Sequence, residues 1–323
     1  MPGVACRGPV NPDLVLMSAG MADSTVVGNS YGLVTAAFNE AAFIEKTIRS
    51  VIAQTYRPVR WVIVSDGSTD GTDEIVKRYA AGYSFIHLHR ITEKHPRNFA
   101  AQVNAINAGV ALLKGTDCEF IGNLDADVSM DPGYFDQLLA RFRKDPRLGL
   151  GGGFIFDKCE DGRYRNRKMN NARSVAHAVQ LFRRECFESV GAYVPLPYGG
   201  PDTHAETAAR MKGWRVEAFR DLPVLHERPT GSVGGIVRSS FRQGRLDYSL
   251  GYHPMFEIVK SIRRVWLQPR ILGALSRWAG FCYCYCRGEN RPVSNDFITF
   301  LRAEQMHNLR KGFVVFTGNP RSQ

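Results

Sequence analysis

Glu119-Phe120-Ile121-Gly122-Asn123-Leu124-Asp125-Ala126-Asp127 passes from an apolar run to two carboxylates within a single step. A short apolar run with no polar alternation is the pattern of a strand buried on both faces, and the acidic triplet marks where it leaves the core. The same shape recurs upstream. Gly32 to Ala37 ends at Asn39-Glu40, Trp61 to Ser65 ends at Asp66, and Phe85 to Leu88 forms a further strand. Amphipathic stretches lie between these runs. Phe43, Ile44, Thr47, Ile48, Val51 and Ile52 line one helical face, and a second helix begins near Asp73 behind the turn-rich Asp66-Gly67-Ser68-Thr69-Asp70-Gly71-Thr72, where Asp70 or Thr72 is placed to cap it. Helices over Asn98 to Leu113 and Pro132 to Arg143 complete the alternation. Strands alternating with helices predict an α/β fold, a mostly parallel sheet flanked by helices.

In open parallel sheets the ligand crevice lies beyond the carboxyl ends of the strands. Asn39-Glu40, Asp66 and Asp125-Ala126-Asp127 are therefore expected to converge although they are far apart in sequence. Carboxylates gathered at the ends of buried strands repel one another and lose hydration unless a cation or a donor-rich ligand compensates them. Two hard oxygen ligands two residues apart suit Mg²⁺ or Mn²⁺ holding a diphosphate. A turn or a helix cap is the alternative use of an Asp-x-Asp triplet, and its place after a buried strand favours the ligand site.

Composition sets the outer limits. With 323 residues, 44% of them hydrophobic and 23% charged, the chain matches a folded globular protein with a substantial core, and disorder as the main state is excluded. Met1 to Ser30, rich in Gly, Ala, Ser and Pro, shows no period and is expected to be a disordered tail without the basic start and apolar run of a secretory signal. Of the net charge of +11, residues from Arg228 to Gln323 carry +10, with fifteen Lys and Arg against five Asp and Glu. The basic balance thus describes a C-terminal surface, and anionic partners belong at that end. Seven cysteines without a C-x-x-C pair suggest neither a disulfide framework nor a zinc ribbon, and point to a reducing cytoplasm. Cys282-Tyr283-Cys284-Tyr285-Cys286 would put three sulfurs on one face if it were a strand, with apolar packing the favoured use. Ile271 to Cys286 contains Arg277 and falls short of the ~18 apolar residues of a bilayer span, so it is expected to be a buried or interfacial helix.

Thr35-Ala36-Ala37-Phe38-Asn39-Glu40, Val62 through Thr72, and Leu124-Asp125-Ala126-Asp127 resemble, in order, spacing and strand context, the signatures of family 2 glycosyltransferases with the GT-A fold. The resemblance covers about Tyr31 to Arg228. It implies an inverting transferase that takes a sugar from a nucleoside diphosphate sugar, with a divalent metal, Mn²⁺ or Mg²⁺. By position, Thr35, Ala37, Phe38, Asn39, Glu40 and Asp66 correspond to the nucleoside pocket, with Asp66 accepting from the base. Arg97 and Asn98, after His95-Pro96, correspond to the segment that reaches the donor. Asp125, Ala126 and Asp127 correspond to the diphosphate and metal site, and His226, after an apolar run, to a further metal or diphosphate contact.

Tyr198-Gly199-Gly200-Pro201-Asp202-Thr203-His204-Ala205-Glu206 resembles the family's acidic region that supplies the base, although Pro201 stands where the first acid is common. Displacement at an anomeric carbon needs a group to take the acceptor's proton, and Asp202 or Glu206 can do this. The competing role for Asp202 is a helix N-cap. Arg238, Arg242 and Arg245 would either close over the diphosphate or line a solvated helix face. No Gln-x-x-Arg-Trp motif of the processive synthases is present, which implies one sugar per binding event.

The expected architecture is thus a tail over residues 1–30, a GT-A domain over 31–228 and a basic helical appendage over 229–323. The appendage either contacts an anionic membrane at the cytoplasmic face or packs on the catalytic domain. The expected acceptor is a saccharide or lipid-linked saccharide of exopolysaccharide or cell-envelope synthesis, and the expected donor a UDP-sugar. A sugar nucleotidyltransferase is the first rival, but its Gly-rich phosphate loop is absent where Asn39-Glu40-Ala41-Ala42 stands. A basic nucleic-acid-binding protein is the second, and acidic strand ends argue against nucleic acid as a partner.

Overall fold

The computed structural model describes residues 30–93, 99–228, 235–263 and 270–317. Four strands, β1 (Tyr31–Ala37), β2 (Arg60–Ser65), β3 (Ile86–Arg90) and β4 (Phe120–Leu124), pair in parallel in the order β3-β2-β1-β4. Each is followed, or preceded, by a helix that covers the sheet: α1 (Ile44–Ile52), α2 (Thr72–Ala80) and α3 (Phe99–Leu112). The two faces of the sheet belong to different cores. Leu33 and Ile63 pack with Ile44, Ile48 and Phe135 on one side, and their neighbours Val34, Val62 and Val64 pack with Val103 and Ile106 on the other. Burial on both sides explains why these strands are continuous apolar runs.

Beyond β4 the sheet becomes mixed. After β5 (Val128–Met130) and α4 (Tyr134–Lys144) come β6 (Leu148–Lys158), β7 (Tyr164–Asn166), β8 (Val179–Arg183), α5 (Arg184–Val190), α6 (Pro201–Met211) and β9 (Arg215–His226). β8 inserts antiparallel between β4 and β6, β6 pairs in parallel with β9, and β9 carries β5 at its edge. The pairing of Val128 with His226 brings the chain just after Asp127 alongside the end of β9. That register closes one side of the crevice.

The C-terminal part consists of α7 (Ile236–Ser249), α8 (Pro254–Arg263), α9 (Arg270–Cys286) and α10 (Asn295–Thr317). α7 and α9 pack backbone to backbone: a Cβ on Gly244 would stand 1.8 Å from the Arg277 carbonyl, and one on Gly280 2.0 Å from that of Phe241. Only glycine permits this approach. Leu196 joins Leu246, Leu250, Phe297 and Leu301 in one apolar cluster, and Arg210 on α6 pairs with Glu304 on α10 at 2.7 Å, so the appendage packs directly on the catalytic domain.

Two expectations are corrected here. The Cys282 to Cys286 run is helical, so its sulfurs share no strand face; Cys284 is buried and Cys286 exposed. Arg242 and Arg245 are half-buried and partnered, where a solvated helix face was one of the two alternatives. Arg242 donates to the Tyr198 carbonyl at 3.0 Å, and Arg245 lies over the Tyr198 ring at 4.2 Å and pairs with Glu289. Both clamp the loop that launches α6. Among the described residues no helix is long and apolar enough to cross a membrane.

Candidate active site

The loops after β1 and β2 are stitched together by side chains. Asn39 adopts a left-handed backbone (φ 53°), which a residue with a short polar side chain tolerates, and its Oδ1 accepts from Thr69 N at 2.9 Å. Its own N–H donates to Ser68 Oγ at 3.1 Å, Glu40 N to Thr72 Oγ1 at 2.8 Å, and Ala41 N to Asp70 Oδ2 at 3.0 Å. Asp70 Oδ1 also accepts from Thr72 N at 3.1 Å and so serves the first turn of α2, as its position predicts. Asp66 N donates to the Ala37 carbonyl at 2.9 Å, which fixes Asp66 at the mouth of the β1–β2 pair. Thr35 and Ala37 are fully buried, and Trp61 Nε1 donates to the Thr35 hydroxyl at 3.0 Å. Their side chains shape the strand, and Phe38, Asn39 and Glu40 form its accessible end.

Asp127 stands at the centre. Ala126, buried, is tied to α1 through Thr47 Oγ1, which donates to its carbonyl at 2.8 Å. The Asp127 carbonyl accepts from Glu227 N at 2.8 Å, so β4 and β9 are locked together where both carry acids. Asp127 Oδ2 lies 3.5 Å from His226 Nε2 and 2.9 Å from Arg228 Nε, and Arg228 bridges on to Glu40. Burial pushes the Asp127 carboxyl up, but His226 and Arg228 outweigh it and hold the group below the usual carboxylate range. Burial lowers His226, and the hydrogen bond and charge of Asp127 reverse this, leaving it raised. Glu40 is pushed up to about 7, first by burial and then by Asp127, Asp125 and Asp70, with Arg228 opposing. Glu40 at the end of β1 thus feels Asp125 and Asp127 after β4 and Asp70 in the loop before α2, and among the described residues the Arg228 guanidinium opposes them.

The other wall is α6. Its N-cap is Gly200, with Pro201 and Asp202 in the first turn, so Asp202 is not the cap. Asp202 Oδ1 accepts from Thr203 N at 2.8 Å. Glu206 is buried and accepts from Val175 N at 2.6 Å and Ser174 Oγ at 3.1 Å, tying α6 to the segment before β8. Burial and then Asp202 push its carboxyl up to about 8. His177, at the end of that segment, lies 3.8 Å from Asp125 Oδ1 and feels the charges of both Asp125 and Asp202, which together outweigh its burial and raise it. It links the strand-end acids to α6.

Arg97 and Asn98, with His95, lie outside the described residues. Three residues at the site escape the sequence motifs. His177 and Asp157, 3.2 Å from His226 Nδ1, belong to elements without a pattern around them. Arg228 directly follows His226-Glu227, and its adjacency to a strand-end His is the signal that could have found it. Among the described residues no three His, Cys, Asp or Glu side chains stand in metal-holding geometry. Of the expected metal ligands, the structure brings Asp127 and His226 to 3.5 Å of each other, with Asp125 two residues before Asp127.

A model of glycosyl transferase family 2 matches residues 33–198, half of the chain, including the loops after β1, β2 and β4. The chain belongs to glycosyl transferase family 2. Glycosyltransferase AglE of Haloferax volcanii is 26% identical over 221 residues, covering 64% of this chain and 69% of the relative. The poly-beta-1,6-N-acetyl-D-glucosamine synthase of Staphylococcus aureus is 29% identical over 245 residues, and this family 2 glycosyltransferase spans 57% of its length. In fold it is similar to GalNAc-T7, solved with UDP, GalNAc and Mn²⁺, with a TM-score of 0.57 at 14% identity over 90% of this chain and 58% of the other. The fold is that of the GT-A glycosyltransferases.

Proposed function

We propose that this glycosyltransferase moves a sugar, with inversion, from a nucleoside diphosphate sugar, UDP-linked, to a hydroxyl of a saccharide acceptor in exopolysaccharide or cell-envelope synthesis. The observation that carries the reading is the surplus of carboxylates around Glu40, with Asp125 and Asp127 after β4 and Asp70 before α2, opposed among the described residues by Arg228. Such a surplus fits a divalent cation and its diphosphate. The S. aureus synthase name and the uridine nucleotide of GalNAc-T7 support the sugar class and the donor base.

In this reading Asp66 accepts from the base, and Asn39 and Glu40 border the ribose. Asp125 and Asp127 border the diphosphate, and Asp125, Asp127 and His226 are the residues that would hold Mn²⁺ or Mg²⁺. When bound, that ion neutralises charge developing on the departing diphosphate. Arg228, released from Glu40 and Asp127, turns its donors to the phosphate oxygens. Asp202 accepts the proton of the acceptor hydroxyl as its oxygen bonds to the anomeric carbon, and the nucleoside diphosphate leaves from the opposite face. Glu206, committed to Val175 and Ser174, positions the helix that carries Asp202 and is the second candidate for the base. The absence of the Gln-x-x-Arg-Trp motif supports one transfer per binding event. A lipid-linked saccharide is the acceptor class favoured by the basic appendage packed on α6.

The test is release of nucleoside diphosphate from a panel of nucleotide sugars with Mn²⁺ and a saccharide acceptor. Asp202→Asn is expected to retain donor affinity while turnover falls by roughly a hundredfold or more. Unchanged turnover would move the base to Glu206.

A further inference from the structure

α8 and α9 present an apolar face to solvent that the catalytic reading does not use. Met255, Ile258 and Ile262 recur at helical spacing on α8, and Ile271, Leu275 and Trp278 do so on α9. Between them lies an open groove of about 340 Å³ lined by Ile258, Ile262, Ile271, Leu275 and Trp278. Ile262, Ile271, Leu272 and Leu275 are each about three-fifths exposed, at 61%, 61%, 65% and 59%. Clustered aliphatic side chains this exposed mark an interaction surface. The opposite face of α9 carries Arg277, Phe281 and Cys284, all buried, and that of α8 carries buried Glu257 and Ser261, so the exposed aliphatic face is separate from the packed one.

The charge around this face decides what fits it. Asp247 and Glu257 are buried against Arg277 and Lys260, and as formal charges these four cancel. That cluster therefore leaves the exposed arginines near this face uncompensated from within. From Pro254 to Arg287 the sequence holds a single acid, Glu257, and it is fully buried, so the outer surface of α8 and α9 carries no carboxylate. Arg263 at the end of α8 and Arg287 after α9 are exposed. Ser276 Oγ donates to the Val237 carbonyl at 2.8 Å, which sets the start of α7, with exposed Val237 and Arg238, beside the same face. Aliphatic side chains ringed by guanidinium groups complement acyl chains beneath anionic head groups. A second copy of the chain would set one basic rim against another.

We propose that the α8–α9 face docks on an anionic lipid bilayer, with Ile262, Leu272 and Leu275 entering the interface and Arg238 and Arg263 meeting the head groups. The inference is independent of the reading of the active site.

The experiment is co-sedimentation of the full chain with vesicles of phosphatidylglycerol and phosphatidylcholine, against vesicles of phosphatidylcholine alone. The expected result is binding to the mixed vesicles that weakens with salt, and a bound fraction reduced about tenfold or more in Ile262→Asp with Leu275→Asp. The circular dichroism and melting temperature of the variant should match the unmodified chain, and Leu272→Glu, at the most exposed of these positions, serves if they do not. Arg238→Glu with Arg263→Glu should remove much of the salt dependence. Equal binding by the aspartate variant, or no binding of the unmodified chain to either vesicle, overturns the proposal. A dimer in sedimentation velocity that the same variant dissociates, without vesicle binding, overturns it too and assigns the face to a second copy.

Discussion

Two clusters of charge in this molecule contrast sharply. In the appendage, Asp247 and Glu257 meet Arg277 and Lys260, two acids against two bases, sealed between α7, α8 and α9. Arg277 Nε reaches Glu257 at 2.9 Å and Lys260 Nζ reaches Asp247 at 2.9 Å, and every member has an opposite neighbour. Among the described residues at the crevice, Glu40 and Asp127 pair with Arg228, itself 44% exposed, while Asp125 and Asp70 add negative charge around Glu40. The first cluster is balanced and closed, and a structural role accounts for it. The second has a deficit of positive charge at an open crevice, and folding alone does not account for that. Balance and closure, more than the presence of charge, separate a structural ion cluster from a site.

The contrast yields opposite responses to mutation. Asp127→Asn is expected to lower nucleoside diphosphate release by roughly a thousandfold. Its urea midpoint should fall only modestly: the carboxyl held below its usual range by His226 and Arg228 contributes some stability, but its loss leaves Arg228 with Glu40 and His226 with Asp157. Arg277→Met, by contrast, strands Glu257 and leaves Asp247 with Lys260 alone, and is expected to cost about 3–5 kcal/mol of stability in urea unfolding while the folded fraction keeps its turnover. Equal losses of stability in the two variants would erase the distinction drawn here.

A smaller effect sharpens it. Glu206 is a buried acid whose carboxyl is pushed from 4.5 up to about 8. Between those values the folded chain keeps a proton that the unfolded chain releases, so this residue makes stability fall as pH rises through the window. Glu206→Gln keeps the oxygen that accepts from Val175 and lacks the ionisation. Its melting temperature is expected to be flatter between pH 5 and pH 8, with a gain on the order of 2 kcal/mol at the alkaline end. Parallel curves for the two proteins would show that Glu206 titrates normally.

The parallel half of the sheet was legible because buried parallel strands are apolar runs with abrupt polar ends. Gly32 to Ala37, Trp61 to Ser65 and Glu119 to Leu124 agree with β1, β2 and β4 to within a residue or so. The mixed half was not. β5 and β7 span three residues each, too short for a period to show. β6 contains Gly149, Gly151, Gly152 and Gly153, whose composition suggests a loop. They are there for contact: a Cβ on Gly152 would stand 2.3 Å from the Val179 carbonyl, and one on Gly153 2.0 Å from that of Leu222. The strand-end acids were legible for the same reason as their strands. His177 was not, because its link to Asp125 and Asp202 depends on the antiparallel insertion of β8, a long-range pairing that local sequence does not encode. The buried charges of α7 to α9 look, in sequence, like solvated helix faces; Arg277 interrupts an apolar run and is buried by its partners.

The most direct measurement of the central claim is calorimetric titration of UDP into the protein with Mn²⁺ and again with EDTA. The strand-end surplus predicts binding that needs the cation and that Asp127→Asn abolishes. Equal affinity in EDTA, or an unaltered isotherm for the variant, would contradict it.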